Sequence, residues 1–162
     1  MIAGLSIENF TILHVAISLL AIVSGLIVLS GMLGARRLPG WTALFLFTTV
    51  LTSVTGFMFP INGLTPGIVI GLISIVILAM ALVALYVQHL GGAWRWIYVT
   101  TALVALYLNV FVLIVQSFQK VPALQKLAPT QSEPPFSVTQ GVVLLAFLVL
   151  GTLAARRFRP AP

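Results

Sequence analysis

Charge is what this sequence has least of. Only 6% of its 162 residues are Asp, Glu, Lys or Arg, against about a quarter in a soluble domain. Such a chain cannot clothe a surface in water, which excludes a soluble globular enzyme, a disordered tail and a nucleic-acid module. Cysteine is absent, and with it go disulfides, thiolate nucleophiles, Cys-ligated zinc and iron–sulfur clusters. The acidic residues are two, Glu8 and Glu133, and neither lies in an apolar run. No carboxylate is therefore available in a bilayer to pair with a histidine, which argues against a membrane-embedded hydrolase, a proton-coupled pump and a charge-selective channel.

What remains is apolar: 60% hydrophobic residues and a mean hydropathy of +1.20 identify an integral membrane protein. A span needs roughly 20 apolar residues. Five stretches of 18 to 23 residues qualify, at about 11–33, 41–60, 67–89, 97–118 and 138–155. They run continuously apolar, whereas barrel strands alternate. The expected fold is an all-α bundle of five transmembrane helices in one membrane domain, 1–162. Leu38-Pro39-Gly40, Asn62-Gly63 with Thr65-Pro66, and Gly91-Gly92 mark turns so short that successive helices must be antiparallel neighbours. Thr65-Pro66 reads as an N-cap followed by proline at the first helical position. The long connection, 119–136, carries prolines at 122, 129, 134 and 135, and Ser137-Val138-Thr139-Gln140 has capping-box spacing.

Arginine sets the expected orientation. Arg36, Arg37, Arg95, Arg156, Arg157 and Arg159 fall on one side of a five-span chain, and Lys120 and Lys126 on the other. The positive-inside rule puts the arginines in the cytoplasm, the N-terminus and proline-rich loop outside and the C-terminus inside. Trp41, Trp94, Trp96 and Tyr98 then form an aromatic belt at the inner boundary. The six arginines are also expected to meet anionic lipid headgroups. The segment before the first span has Glu8 and no basic residue, unlike a signal peptide, so that span is expected to stay in the mature protein.

Within the spans the polar residues are few. His14, Ser18, Ala21 and Gly25 form a polar-to-small stripe on the first span, and Thr101, Ala105, Asn109, Val112 and Gln116 share a face of the fourth. An amide at mid-membrane needs a partner, so Asn109 should face a neighbouring helix or a cavity. Thr48, Thr49, Thr52, Ser53 and Thr55 either bond their own helix or line a polar path, as a small transporter or channel would require. Gly67 with Gly71, and Ala21 with Gly25, suit close helix contact within the chain or between copies.

His14, Asn62, Gln116 and Gln140 gather toward the outer face, beneath a loop bearing Glu133. The expected function is non-enzymatic: binding of a hydrophobic or weakly polar ligand, or of a membrane partner, through an outer-side pocket. Its candidate contacts are His14, Ser18, Asn109, Gln116, Glu133 and Gln140. The alternative is a redox protein that uses haem b or a quinone, with His14 as ligand or contact and His14 the weak candidate for a metal. His89 ends the third span on the opposite side, so the two histidines cannot share one haem within a monomer. The expected partners are the bilayer and a second copy or larger membrane complex, with no nucleic acid.

The run from Leu13-His14-Val15 through Gly25 to Arg36-Arg37-Leu38-Pro39-Gly40-Trp41, followed by a threonine-rich second span, resembles a family of small bacterial inner-membrane proteins classed as a domain of unknown function. The likeness covers the first third of the chain, and Ala35-Arg36-Arg37 stands where a His-Arg pair is expected. The resemblance implies a bacterial inner-membrane setting.

Overall fold

The computed structural model describes residues 1–60 and 63–159. Asn62 lies outside the described residues. The chain forms α1 (Ile7–Leu33), α2 (Pro39–Phe57), α3 (Pro66–Leu82), α4 (Trp94–Lys120), a short α5 (Pro122–Leu127) and α6 (Pro134–Arg157). A wide π-turn, Val83–Val87, extends α3. Five of these, α1, α2, α3 with its π-turn, α4 and α6, are long and apolar enough to cross a membrane. No strand occurs among the described residues.

Proline writes most of the helix starts, because its fixed φ and missing N–H suit the first turn: Pro39, Pro66, Pro122 and Pro134 each occupy that place. Thr65 is the N-cap of α3 through its backbone, its carbonyl accepting from the amides of Ile68 and Val69 at 3.0 and 3.3 Å. Thr65 is thus the N-cap expected before Pro66, although its hydroxyl makes no capping bond. The expected capping box of the last span fails. The helix begins one turn earlier, with Glu133 as N-cap, and Ser137 and Thr139 instead donate to the carbonyls of Glu133 and Pro135. The connection at 119–136 is mostly helical for the same reason: its prolines start α5 and α6 rather than break structure.

The helices alternate in direction. α4 is central, packing on α1, α2, α3 and α6, while α1 touches both α2 and α6. Lipid gives little hydrophobic drive for helix association, so close approach of small residues matters. A Cβ on Gly25 would lie 2.5 Å from Leu106 and 2.9 Å from the Phe45 ring, and one on Gly71 would lie 2.8 Å from the ring of Phe57. Both small-residue spacings therefore serve contacts inside the chain, α1 on α2 and α4, and α3 on α2. The buried core draws on Val28 and Met32 of α1, Phe45 and Leu46 of α2, Leu78 and Ala81 of α3, Tyr98 to Leu106 of α4, and Ala154 with Phe158 at the close of α6. Every one of these belongs to the half nearer the six arginines, hereafter the arginine end. The opposite lid end holds α5 and the loop before α6. There Phe10, Phe118 and Ala128 are buried, and α4 beyond Leu106 is mostly half-exposed.

Tyr98 departs from the expected aromatic belt. Trp41 and Trp96 are 43% and 44% exposed, as a belt requires, but Tyr98 is 2% exposed and turns inward.

Candidate functional site

α2 organises the polar groups of the bundle. Five of its six hydroxyls donate to a carbonyl one turn back: Thr48 to Leu44, Thr49 to Phe45, Thr52 to Thr48, Ser53 to Thr49 and Thr55 to Leu51, at 2.7 to 3.1 Å. The hydroxyl protons are thus spent on their own helix, the first of the two arrangements expected for this run. This leaves the hydroxyl oxygens as acceptors, and two of them receive donors from other helices. Asn109 of α4 donates through Nδ2 to Thr49 at 3.3 Å. His14 of α1 meets Thr55 through Nδ1 at 2.8 Å.

With the Thr55 proton donated to the Leu51 carbonyl at 2.7 Å, the tautomer that satisfies both contacts is His14 with its proton on Nδ1. Its Nε2 then carries a lone pair with no partner among the described residues. The ring packs edge-on against Phe59, centroids 5.3 Å apart, and Gly56 leaves room beside it, a Cβ there lying 3.7 Å from Cε1. Ser18, the next residue of the stripe, donates to the His14 carbonyl at 2.7 Å and so is spent on its own helix.

The remaining expected residues do not converge on His14. Gln116 is exposed. Gln140 donates through Nε2 to the carbonyl of Phe111 at 3.2 Å, while its Oε1 is the one buried side-chain polar atom without a partner among the described residues. Glu133 turns into its own loop, accepting from the Thr130 amide and hydroxyl and from the Ser132 amide. Slight desolvation pushes its carboxyl up, but these hydrogen bonds together outweigh it and hold the group below the usual value. Two glutamines outside the expected contact set, Gln131 of the long loop and Gln119 of α4, fasten the lid instead. Gln131 donates to the Val115 carbonyl at 2.9 Å, and Gln119 donates to Gln131 Oε1 at 3.2 Å. Nothing in their spacing marks them out, since Val115 and Gln119 belong to α4 and meet Gln131 only when the lid folds back.

The arginine end holds a cavity of about 250 Å³ that the expected outer-side pocket did not anticipate. Val28, Met32 and Leu85 form its apolar wall, Thr42 and Tyr98 its hydroxyl-bearing floor, and Arg36, Arg37 and His89 its polar rim. Arg95, expected to meet lipid, is turned inward. Its Nη1 donates to the carbonyls of Ala155 and Phe158 at 3.0 and 2.6 Å, satisfying the open end of α6, and its guanidinium lies 4.6 Å from the Trp96 ring. Arg156, Arg157 and Arg159 are exposed. A second, more open groove of about 560 Å³ runs between α4 and α6, past Tyr107 and Phe147, and ends at Trp96 and Arg156.

His89 is exposed beyond the π-turn, and both it and Leu90 have left-handed backbone, φ +48° and +61°. It shares the cavity with Met32, eighteen residues along α1 from His14, or about 27 Å of helix. The two histidines thus lie at opposite ends. No cluster of three or more metal-ligating side chains occurs among the described residues.

No protein-family profile, no curated protein and no solved structure matches this chain. Its function is argued from its own geometry.

Proposed function

We propose that this multi-pass membrane protein is a non-enzymatic binder that holds a hydrophobic or weakly polar ligand at its lid end, with His14 as the principal contact. The observation that carries this reading is the half-used imidazole: Nδ1 is fixed on Thr55, Phe59 orients the ring, and Nε2 is left as an acceptor. An intramembrane ionisable residue is a functional site by default, and a ring held by one nitrogen is preorganised to use the other. Gln140 Oε1, buried and unpartnered in the same half, adds a second unused acceptor. The ligand chemistry is therefore a hydroxyl or N–H donor on an apolar body, of which a hydroquinone is the simplest example.

The proposed setting is a bacterial cytoplasmic membrane, with the arginine end inside. The support is the imbalance of six arginines at one end against Lys120 and Lys126 at the other, together with the family resemblance of the first third. A second reading draws on the same free Nε2, the nitrogen that a b-type haem would take. With His89 at the far end, a second histidine ligand would come from another copy of the chain.

Equilibrium dialysis of the purified protein against a short-chain benzoquinol, with a parallel haemin titration followed at the Soret band, tests both. Saturable benzoquinol binding is expected, weakened at least about tenfold by His14→Ala, several-fold by Thr55→Val and not at all by Gln116→Ala. Binding untouched by His14→Ala would refute the lid-end site. A His14-dependent Soret band at half a haem per chain would replace the first reading with the second.

A further inference from the structure

We infer that the arginine-end cavity is a specific site for the phosphate headgroup of an anionic phospholipid. This inference stands on its own and does not depend on what His14 binds.

Charge comes first. Arg36 and Arg37 reach the cavity rim, and no ion pair forms among the described residues. The two acidic side chains of the sequence are both at the lid end, Glu8 in the first turn of α1 and Glu133 as the N-cap of α6. No acidic side chain of this chain can neutralise the rim, so its counter-charge comes from outside the protein. At the membrane boundary the abundant anion is a lipid phosphate, which arginine's planar fork can grip through two hydrogen bonds at once.

The floor supplies the second argument. Thr42 is 7% exposed and Tyr98 is 2% exposed, and both line the cavity. Thr48, Thr49, Thr52, Ser53 and Thr55 each bond their own helix, whereas the Thr42 hydroxyl makes no such bond. Thr42 stands in the first turn of α2, whose N-cap, Leu38, offers no side chain to the free amides, so positive potential adds to that of the arginines.

Shape is the third. The wall from Val28 and Met32 across to Leu85 is apolar, so the cavity grades from hydrocarbon to charge as a phospholipid does. It is kept open by the π-turn, which carries Leu85 and Tyr86, and by the left-handed His89 and Leu90 that follow. A π-turn and consecutive left-handed non-glycine residues are costly local arrangements that concentrate at functional sites. A lipid surface interaction alone would use the exposed Arg156, Arg157 and Arg159 equally well. What sets Arg36 and Arg37 apart is that both border one cavity together with Thr42 and Tyr98, whereas Arg156 alone reaches the more open groove.

Native mass spectrometry of the full chain, delipidated in a neutral detergent and titrated with phosphatidylglycerol or phosphatidylcholine, reads the site directly. One phosphatidylglycerol per chain is expected to be retained, with at least about tenfold preference over phosphatidylcholine. Arg36→Gln with Arg37→Gln should weaken that binding about tenfold or more, on the scale of two basic residues near an anionic surface. Tyr98→Phe, which keeps the ring, should weaken it a few-fold, and Arg156→Gln with Arg157→Gln should leave it unchanged. Equal retention of the two lipids, or equal loss in the two double-arginine variants, would overturn the site. Displacement of the lipid by millimolar inorganic phosphate would overturn the lipid assignment in favour of a soluble phosphate.

Discussion

The two ends of this bundle are held together by different forces. At the arginine end, Met32, Phe45, Leu46, Leu78, Val99 and Leu106 are all nearly inaccessible and interlock at van der Waals distance. At the lid end α4 is mostly half-exposed, and polar stitches join the elements: His14 on Thr55, Gln131 on Val115 and Gln140 on Phe111. Edge-on aromatic pairs, Phe10 with Phe59 and Phe118 with Phe136, at 5.1 and 5.4 Å, complete it. A packed half resists a change of volume and tolerates little else. A stitched half tolerates changes of volume and fails when a donor is removed. One end is therefore packed around a small cavity, while the other is joined mainly by polar and edge-on aromatic contacts.

The largest expected effect comes from overfilling the packed end. Gly25→Val would drive a side chain into Leu106 and Phe45, neither of which has space to move, and should cost about 2–3 kcal/mol. Gly141→Ala in the lid-end half of α6 meets nothing within 4 Å and should be neutral or stabilise by up to about 1 kcal/mol. Thermal unfolding in detergent compares the two, and equal destabilisation would erase the distinction between the halves.

Next is the clamp on α6. Arg95→Gln removes the donors to Ala155 and Phe158, and charge-assisted bonds of this kind contribute about 1.5–3 kcal/mol. Faster amide exchange at Phe158, whose N–H closes the last turn on Ala154, should report the loss, with the lid unchanged.

The lid should respond to pH. The Glu133 carboxyl is held below its ordinary value by the Thr130 and Ser132 hydrogen bonds. A lowered carboxylate value means that its contribution is complete above the ordinary value of 4.5 and fades as pH falls through the lowered one. Cleavage within residues 128–133 by an acid protease should therefore rise progressively as pH drops below the ordinary value of 4.5. Glu133→Gln should be cleaved readily at every pH tested. An unchanged wild-type profile would show that the loop is ordered without its carboxylate.

The smallest effect is expected at mid-membrane. The Asn109 bond to Thr49 is long, at 3.3 Å, and interhelical hydrogen bonds in membranes average about 0.6 kcal/mol. Asn109→Leu should therefore shift unfolding by less than about 1 kcal/mol. A loss of several kcal/mol would mean that polar stitching also governs the packed half.

Much of the fold is legible in the residue order. Continuous apolar runs announce five spans and the short turns between them their alternation, with Pro66 legible as a helix start. The lid was harder to read, because Pro122 and Pro134 look like breakers until they are seen to begin helices. The site was harder still. His14 was visible as the lone histidine within the first span, and the threonines of α2 as a hydroxyl-rich run. Gln116, Ser18 and Glu133 share their stripe or surface but not their target, because helical spacing states which face a residue lies on and not which neighbour that face meets.

By itself the order of residues settled the class of structure: with so few charges, lipid is the only solvent that can surround these helices, and length then dictates how many of them there are. Tertiary structure alone decided which nitrogen of His14 is spent, that Tyr98 turns inward rather than out to the boundary, and that the arginine end rather than the lid encloses the better-formed cavity. Each of those depends on contacts between helices far apart in the chain. Such contacts are fixed by how side chains fit around α4, a matter of shape in three dimensions that no periodicity along the chain encodes.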